Sequence, residues 1–422
     1  MIGPRWPDRC GGGRHMSAMS AGQRASAHAV TAAFLGWTLD AFDFFVVVFL
    51  IDVLAHEFRV TKAAMVATIT VTLALRPLGA FVFGLLADRY GRRLPLMANI
   101  VFFSVVELLC GFAPSYAVFL ALRALYGIGM GGEWGVGASL AMEHVSPRWR
   151  GVFSGFLQSG YSVGYLLAAF ASWVVLPHLG WRAMFWIGGA PAFLALYVRA
   201  SVPESEAWRR HRATSIAQVL RAVSEYRGRF AFLVMLMTFM MFLSHGTQDL
   251  YPDFLKSEHD LGVAAVAQVA IFYNLAAIFG AIAFGELSQR VGRRGSMLAA
   301  FGLSLLAVPL WAGGGSLAGL TVGACLLQMG VQGAWGIVPA HLNELAPDRA
   351  RGLVPGLAYQ SGVLIAAPVN SFQYALRDRL GYAWALAGFQ VVVILTLSAI
   401  VSLSAERHGR SFLGNEDEQG MV

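Results

Sequence analysis

A run of polar residues interrupts a long apolar segment in the middle of the chain: Ser244, His245, Gly246, Thr247, Gln248 and Asp249. His245, Gln248 and Asp249 are spaced i, i+3 and i+4, which places them on one face of a helix. A histidine titrates near neutral pH, so a histidine beside a carboxylate is suited to taking up and releasing protons. The alternative is that Asp249 is hydrated near the helix end and that His245 only bonds a neighbouring helix.

Ionisable residues also stand in other apolar segments: Asp40, Asp43, Arg76, Glu107, Arg123 and Glu133. A charge inside hydrocarbon is costly unless it is paired or hydrated, so each is a functional candidate. We expect Arg76 and Arg123 to bind a carboxylate, because a guanidinium donates two parallel, charge-assisted hydrogen bonds to it. Pro77 supports this role for Arg76, because proline loosens the helix and leaves backbone groups available. The alternative is a static ion pair of Arg76 with Asp43 or Glu107.

The segments that must position these residues are long and apolar. Of all residues, 57% are hydrophobic and 13% are charged, whereas a soluble chain needs a charged surface. A helix needs roughly 20 apolar residues to span a bilayer. Twelve segments meet that length, near 30–54, 64–86, 95–112, 117–142, 152–176, 182–200, 230–254, 263–285, 296–313, 317–340, 353–375 and 382–403. The sequence therefore predicts an all-α membrane protein.

The positions of the basic residues predict the orientation. If both termini are cytoplasmic, 23 of the 31 Lys and Arg fall in cytoplasmic tails and loops, six fall in the opposite loops and two lie inside spans. This asymmetry predicts a multi-pass protein of the cytoplasmic (inner) membrane with both ends inside. It also accounts for the net charge of +7 without a nucleic-acid partner.

The sequence predicts neither a metal site nor a cofactor. Cys10, Cys110 and Cys325 have no ligand spacing, and two of them lie in apolar segments. No phosphate-binding loop and no nucleophile–base arrangement is present, so an enzyme is not expected. Residues 1–28 have no apolar core and are predicted to be a disordered cytoplasmic tail, with Met16 or Met19 as a candidate natural start.

An internal repeat divides the chain. Residues 84–93 recur as 285–294 at an offset of 201, and 132–135 recur as 333–336 at the same offset. Glu143 and Arg150 have counterparts at 344 and 351. We therefore expect two six-helix bundles, 29–200 and 229–404, joined by a cytoplasmic linker at 201–228 and followed by a cytoplasmic tail at 405–422. Parallel repeats of this kind place a substrate site between the halves near the membrane midplane.

The repeated loop resembles a signature of the major facilitator superfamily. That signature, Gly-x-Leu-Ala-Asp-Arg-x-Gly-Arg-Arg, is nearly complete at 84–93, and the fourth-helix signature of the family is present at 123–132. The resemblance covers about residues 30–404 and implies the twelve-helix fold of that family. It also implies that Asp88 and Arg92 form charge contacts that close an inner gate, with Glu143 as their partner.

The polar run of 244–249 resembles a narrower group, the lactate/pyruvate:proton symporters within the sialate:proton symporter family. Ser244, His245, Thr247, Gln248 and Asp249 match that group's helix 7 motif, whereas Met241 and Asp253 depart from it. The resemblance implies that Gln360 in helix 11 takes part in substrate selection, and Gln158 is its counterpart in the repeat.

Together these observations predict a proton-coupled symporter of a small carboxylate such as lactate or pyruvate, working by alternating access as a monomer. The expected substrate-binding residues are Arg76, Arg123, Gln158, Gln248 and Gln360. The expected proton-coupling residues are His245, Asp249, Asp43 and Glu133. The alternatives are a carrier of another organic acid (an aromatic acid, a dicarboxylate or a sialate) or of a sugar, and a membrane receptor that no longer transports.

Overall fold

The computed structural model describes residues 20–414, which form helices and no strand. The helices are α1 (Ala21–Glu57), α2 (Lys62–Tyr90), α3 (Arg93–Cys110), α4 (Tyr116–His144), α5 (Arg150–Val174), α6 (Leu176–Ile187), α7 (Pro191–Ser201), α8 (Glu206–His211), α9 (Ile216–Glu225), α10 (Arg227–Gln248), α11 (Tyr251–Ser257), α12 (Val263–Gly313), α13 (Leu317–Leu345), α14 (Val354–Ala366), α15 (Val369–Leu380) and α16 (Tyr382–Ser402). The predicted all-α, twelve-pass fold is confirmed.

Within the described residues, six helical segments are long and apolar enough by themselves to cross a membrane. They are α2, α3, α12, α13, α16 and the segment Arg227–Ser257 formed by α10 with α11. The 51-residue α12 makes two of the passes, because Gly292 inside it has φ 82° and reverses the chain. A positive φ of this kind suits glycine, which has no Cβ to clash with the backbone.

The other five passes are less uniformly apolar or less continuous, because they contain polar residues, glycines or helix breaks. Helix α1 carries three aspartates, α4 is rich in glycine, and α5 carries glycine, serine and glutamine. The sixth pass is interrupted between α6 and α7, and the eleventh is interrupted between α14 and α15. Polar residues and helix breaks at membrane depth are tolerated where they face protein or a water-filled cavity.

The segments before, between and after the two bundles contain ordered structure. Helix α1 begins at Ala21 with Ser20 as its N-cap, so residues 21–28 are helical and do not belong to a disordered tail. The linker forms α8 and α9. After α16 the chain packs against the bundle, and the side chains of Arg410 and Phe412 are buried. Cys10 and the candidate starts Met16 and Met19 lie outside the described residues.

The two halves pack tightly at one end of the bundle. We name this end the latch side; it carries the loops around Gly91, Ser146, Gly292 and Pro347. There α5 lies directly against α12, and Ser139 Oγ of α4 donates a hydrogen bond of 2.7 Å to the backbone oxygen of Arg351 in the other half. The opposite end, which we name the open side, contains a cavity between the halves.

Close helix contact on the latch side depends on glycine. A Cβ added at Gly155 of α5 would clash with the backbone oxygen of Ala281 in α12, where no flexible side chain can give way. Because overpacking of this kind costs roughly 1–3 kcal/mol, we expect Gly155→Val to favour opening of the latch side. The reporter is Ser139→Cys in a chain whose native cysteines are replaced by alanine. Its thiol should react about tenfold faster with a maleimide when Gly155→Val is added.

Gly302→Val is the matched control for this variant. Gly302 also lies in a transmembrane helix, but an added Cβ there meets no atom within 4 Å. Equal labelling rates of the Ser139→Cys reporter in the two backgrounds would contradict the role given to the Gly155 contact.

Candidate functional site

The latch side is held by charges buried between the halves. The Glu143 carboxylate accepts hydrogen bonds from Arg92 Nη2 at 2.9 Å and from Arg351 Nη1 at 3.4 Å. Arg92 also contacts Asp88 at 2.5 Å. Asp88, Arg92 and Glu143 therefore contact one another as the family resemblance implies, and Arg351 from the other half completes the cluster.

Asp88 also bonds directly to the other half. Its carboxylate accepts hydrogen bonds from the backbone N–H of Gly352 at 2.7 Å and of Leu353 at 2.9 Å. A carboxylate that caps two backbone N–H groups forms charge-assisted bonds, which are stronger than neutral ones. These contacts tie the end of α2 to the segment before α14.

A second cluster repeats the first at the offset of 201. Glu344 accepts hydrogen bonds from Arg293 Nη2 at 2.9 Å in its own half and from Arg150 Nη1 at 3.1 Å in the other half. Each glutamate thus bridges an arginine of its own loop and an arginine of the opposite half. The sequence prediction named only the first cluster, although the repeat offset applied to Arg92 and Glu143 would have identified the second.

Burial makes these pairs decisive for the conformation. Burial acts to lower the pKa of Arg92, but Glu143 and Asp88 outweigh it and hold that pKa above its ordinary value. The guanidinium therefore stays charged. Removing one partner from such a buried pair leaves an uncompensated charge, which is far more costly than losing an exposed pair.

The segment after α16 reinforces both clusters. The Phe412 ring lies 3.8 Å from the guanidinium carbon of Arg150 and 3.9 Å from that of Arg351. Arg410 donates hydrogen bonds of 3.0 Å to the backbone oxygens of Glu344 and Ala346. A ring between two cations is favourable on both faces, so this segment joins the two halves on the latch side.

The open side contains a cavity of ≈ 180 Å³ between the halves, which we name the outer cavity. Its lining comes from α2 on one side and from α10, α14 and α15 on the other: Thr70, Leu73, Ala74, His245, Asp249, Val363, Leu364, Ala366, Ala367, Val369 and Asn370. With the latch side closed and this cavity accessible from the open side, the chain adopts a conformation open to one side of the membrane.

His245 and Asp249 face this cavity together. His245 Nδ1 lies 3.1 Å from Asp249 Oδ2, and the two side chains are 32% and 34% exposed. Asn370 Nδ2 donates a hydrogen bond of 2.9 Å to the same Asp249 oxygen. The pair predicted from the sequence is therefore formed, and water in the cavity can exchange protons with it.

A smaller inner cavity of ≈ 30 Å³ lies next to His245. Its lining comes from both halves: Gln158, Tyr161, Met241, Ser244, His245, Gln332, Trp335 and Tyr359. This volume holds about one water molecule. A molecule larger than water would therefore have to displace side chains to occupy it.

Arg76 is buried without a countercharge in contact. Its side chain is 4% exposed, and in the described residues its Nε and Nη2 atoms have no hydrogen-bond partner. Its guanidinium carbon lies 5.8 Å from the centre of the Tyr359 ring, which lines the inner cavity. The static ion pair with Asp43 or Glu107 is not formed among the described residues. Unused donors on a buried cation beside a cavity are suited to an anionic ligand.

Arg123 is placed differently from the prediction. It forms an ion pair of 2.6 Å with Glu107 and lies over the Tyr126 ring at 4.0 Å. All three residues belong to α3 and α4 of the first half, and none of them lines the two cavities. Arg123 therefore neutralises Glu107 inside the bundle in this conformation and is not in place to meet a substrate.

The three predicted glutamines also separate. Gln158 lines the inner cavity and accepts a hydrogen bond of 3.2 Å from Trp134 Nε1. Gln248 bonds to Ser244 Oγ of its own helix at 2.5 Å, and Gln360 is fully buried without a hydrogen-bond partner among the described residues. Neither Gln248 nor Gln360 lines the outer or the inner cavity, so only Gln158 is placed as a substrate-binding residue would be.

The predicted proton-coupling residues fall into two groups. His245 and Asp249 line the outer cavity, whereas Asp43 and Glu133 are buried inside the first half. In the described residues the carboxyl oxygens of Asp43 and Glu133 have no hydrogen-bond partner. Asp43 and Glu133 are therefore separated from the outer cavity, and the structure does not bring the four residues together.

The sequence prediction missed the aromatic part of the inner cavity. The Tyr359 ring stacks on Trp134 with centroids 4.5 Å apart, and Trp335 meets the same ring edge-on at 5.6 Å. Trp134 and Trp335 are counterparts in the repeat, and both contact the same tyrosine, so one tryptophan of each half meets at this point.

Comparison with known proteins gives a consistent result. Residues 33–369 match the family model described as Major Facilitator Superfamily. The chain is 30% identical over 377 residues, 86% of each chain, to a Cupriavidus pinatubonensis protein named "Probable 4-methylmuconolactone transporter". It is 28% identical over 412 residues, 89% of this chain and 93% of the other, to the niacin transporter NiaP of Acinetobacter baylyi.

A solved structure has the same fold. The human organic anion transporter MFSD10 superposes with a TM-score of 0.74 at 17% identity, covering 89% of this chain and 99% of the other. At that identity the match describes the architecture alone.

The paired clusters predict the effect of neutralising a latch glutamate. Glu344→Gln leaves two buried arginines with one weaker partner, and removing a partner of this kind costs roughly 3–5 kcal/mol. We expect the Ser139→Cys reporter to react roughly 100-fold faster in this variant. Glu143→Gln should have a similar effect because of the repeat. Glu286→Gln is the control, since its ion pair with Arg290 is exposed; an equal response of that control would argue against the latch.

Proposed function

Because the chain belongs to the Major Facilitator Superfamily, we propose that it is a proton-coupled symporter of a small monocarboxylate such as lactate or pyruvate. The observation that carries this proposal is the guanidinium of Arg76, which is buried without an ion pair and lies 5.8 Å from the Tyr359 ring of the inner cavity, a cavity that His245 also lines. A buried cation without a countercharge is costly, and the carboxylate of an acid would supply the missing charge.

The relatives support a carboxylate as the class of substrate. One of them is named as a niacin transporter, and niacin is a small monocarboxylic acid. Another is named for 4-methylmuconolactone, which also carries a carboxyl group. Since both molecules contain an unsaturated ring, they favour a second candidate: a carrier of an aromatic or unsaturated acid in place of lactate.

We further propose that the latch side faces the cytoplasm and that the protein resides in the inner membrane. The loops on the latch side contain most of the basic residues outside the spans, which is the bias expected of cytoplasmic loops. The open side then faces outward. In this orientation the outer cavity receives both the acid and the proton from outside the cell.

The proposed cycle consists of proton uptake, docking of the acid and a change of access from one side to the other. In the outward-open conformation His245 and Asp249 take up a proton from the outer cavity, and the acid docks with its carboxylate toward Arg76. Gln158 offers a neutral contact for the rest of the acid from the inner cavity. The loaded site no longer carries unpaired charge, so the outer cavity closes and the latch side opens. Coupling requires the partly loaded carrier to reorient poorly.

Asp43 and Glu133 remain candidates for carrying protons through the first half, supported by carboxyl oxygens that lack hydrogen-bond partners among the described residues. They lie apart from the cavities, so any role in coupling acts on the first half itself. We propose that one chain is the functional unit, because both cavities form within it.

The central experiment is uptake by proteoliposomes with and without an inside-alkaline pH step. Labelled lactate, pyruvate, acetate, nicotinate and cis,cis-muconate are compared. Uptake of lactate or pyruvate that depends on the pH step supports the proposal. Preference for nicotinate or muconate supports the second candidate, and no uptake of any acid at any pH supports a transport-inactive receptor.

The proton pair predicts a separation of accumulation from binding. In His245→Ala and Asp249→Asn we expect pH-driven accumulation to be lost, because the pair can no longer titrate. Downhill exchange of labelled for unlabelled acid should persist at a measurable rate. Gln248→Ala, on the same helix but outside both cavities, is the control. Proton-coupled uptake at wild-type levels in both variants would refute the assignment.

Arg76 predicts a change in substrate affinity. Arg76→Lys keeps the charge but loses the planar fork, and a hydrogen bond to a charged group contributes roughly 1.5–3 kcal/mol. We expect KM for the transported acid to rise roughly 10-fold or more. Arg182→Lys is the control, because Arg182 pairs with Glu57 on the exposed surface. A KM equal to that of the wild type would return Arg76 to a structural role.

A further inference from the structure

The eleventh pass breaks where it borders the outer cavity. Helix α14 ends at Ala366, α15 begins at Val369, and Pro368 lies in the break. Both helices line the outer cavity opposite α2. Closing the cavity therefore requires α15 or α2 to move, and a proline-containing break is a common place for such movement.

Two side chains of α15 donate hydrogen bonds that hold it against the end of α10, and the two acceptors differ chemically. Asn370 Nδ2 donates to the carboxylate of Asp249 at 2.9 Å. Gln373 Nε2, one turn further along, donates to the backbone oxygen of Gly246 at 3.0 Å. The first acceptor changes its charge with pH, whereas the second does not. Of these two bonds, the one from Asn370 can report protonation to α15.

We propose that Asn370 is a positioning residue that links the protonation of Asp249 to the closure of the outer cavity by α15. This inference rests on the proton coupling proposed above. While Asp249 is charged, its Oδ2 atom accepts from both Asn370 and His245, and the charge-assisted bond holds α15 in the open position. A proton on Asp249 removes that charge, weakens the bond to Asn370 and releases α15.

The orientation of the Asn370 amide follows from this contact. With its nitrogen toward Asp249 it donates to a carboxylate, whereas the reverse orientation would place two acceptor oxygens together. In the described residues the other amide atom, Oδ1, has no hydrogen-bond partner. The polar contact that positions this side chain is therefore the one with the titrating group.

Other charged and titratable groups face the pair from neighbouring helices. Asp249 acts electrostatically on Tyr161 of α5 and on Tyr273 of α12, and Arg76 of α2 acts on His245. Asp253, one turn beyond Asp249, accepts a hydrogen bond of 2.8 Å from the Tyr382 hydroxyl and lies 3.8 Å from Arg377. Asn370 carries no charge, so changing it alters the bond to Asp249 without removing a charge.

The experiment measures pH profiles of uptake in proteoliposomes. The probe is whichever of labelled lactate, pyruvate, acetate or nicotinate the wild-type chain takes up fastest. Without the Asn370 donor the charged form of Asp249 is less stabilised, so Asp249 binds its proton at a higher pH. In Asn370→Ala we expect the pH of half-maximal uptake to rise by about one unit, a tenfold change in proton concentration. Asn370→Asp should raise it further, because it adds a like charge.

Gln373→Ala is the matched control, because it removes the other bond between α15 and α10 without touching a titrating group. Its uptake rate is expected to fall while its half-maximal pH stays at the wild-type value. Asn370→Thr, which keeps a donor, should restore part of the wild-type profile.

Unshifted profiles in both Asn370→Ala and Asn370→Asp would overturn the proposal, and so would an equal shift in Gln373→Ala. A wild-type chain with pH-independent uptake would instead refute proton coupling itself, and the role of Asn370 would fall with it. A purely structural role would lower rates in every variant without moving the pH midpoint.

Discussion

A charge removed from water must find a partner, and this constraint organises the whole molecule. On the latch side each buried glutamate meets an arginine from its own half and an arginine from the other half, so the pairs are complete only when the halves are together. Near the cavities the same constraint is left unsatisfied at Arg76. One end of the bundle is thus closed by charge pairing, and the proposal of a carboxylate substrate rests on the unpaired cation in the middle.

The two charge clusters are built from residues that correspond in the repeat. Arg92, Glu143 and Arg351 correspond to Arg293, Glu344 and Arg150, with similar distances in both clusters. The cavities do not share this symmetry, since the His245–Asp249 pair belongs to the second half and Arg76 to the first. The latch side is therefore closed by duplicated parts, whereas the residues proposed to bind substrate and proton have no such duplication. Opening of the latch side separates the ion pairs that join the halves in both clusters. Any change that opens it has to offset the loss of both.

Length and periodicity were enough to predict the twelve passes, because an apolar block of spanning length has few other uses. The repeat and the loop signature placed Asp88, Arg92 and Glu143 correctly in contact. Spacing along a helix identifies a face but not the direction in which that face points, and this is why Gln248 was expected at the site although it lines neither cavity. Gln360 was expected from the family resemblance alone. The ion pair of Arg123 was not foreseen for another reason: its partner Glu107 lies on a different helix, and a single sequence does not pair residues across helices. Asn370 had no sequence signal at all.

The segment that carries Arg410 and Phe412 has a consequence for how the protein is made. These residues are synthesised after the twelfth pass, yet they lie between arginines of both halves. Halves emerging from the ribosome can enter the bilayer and pair their helices before this segment is translated. The brace that Phe412 provides at Arg150 and Arg351 is therefore added only after all twelve passes have been made.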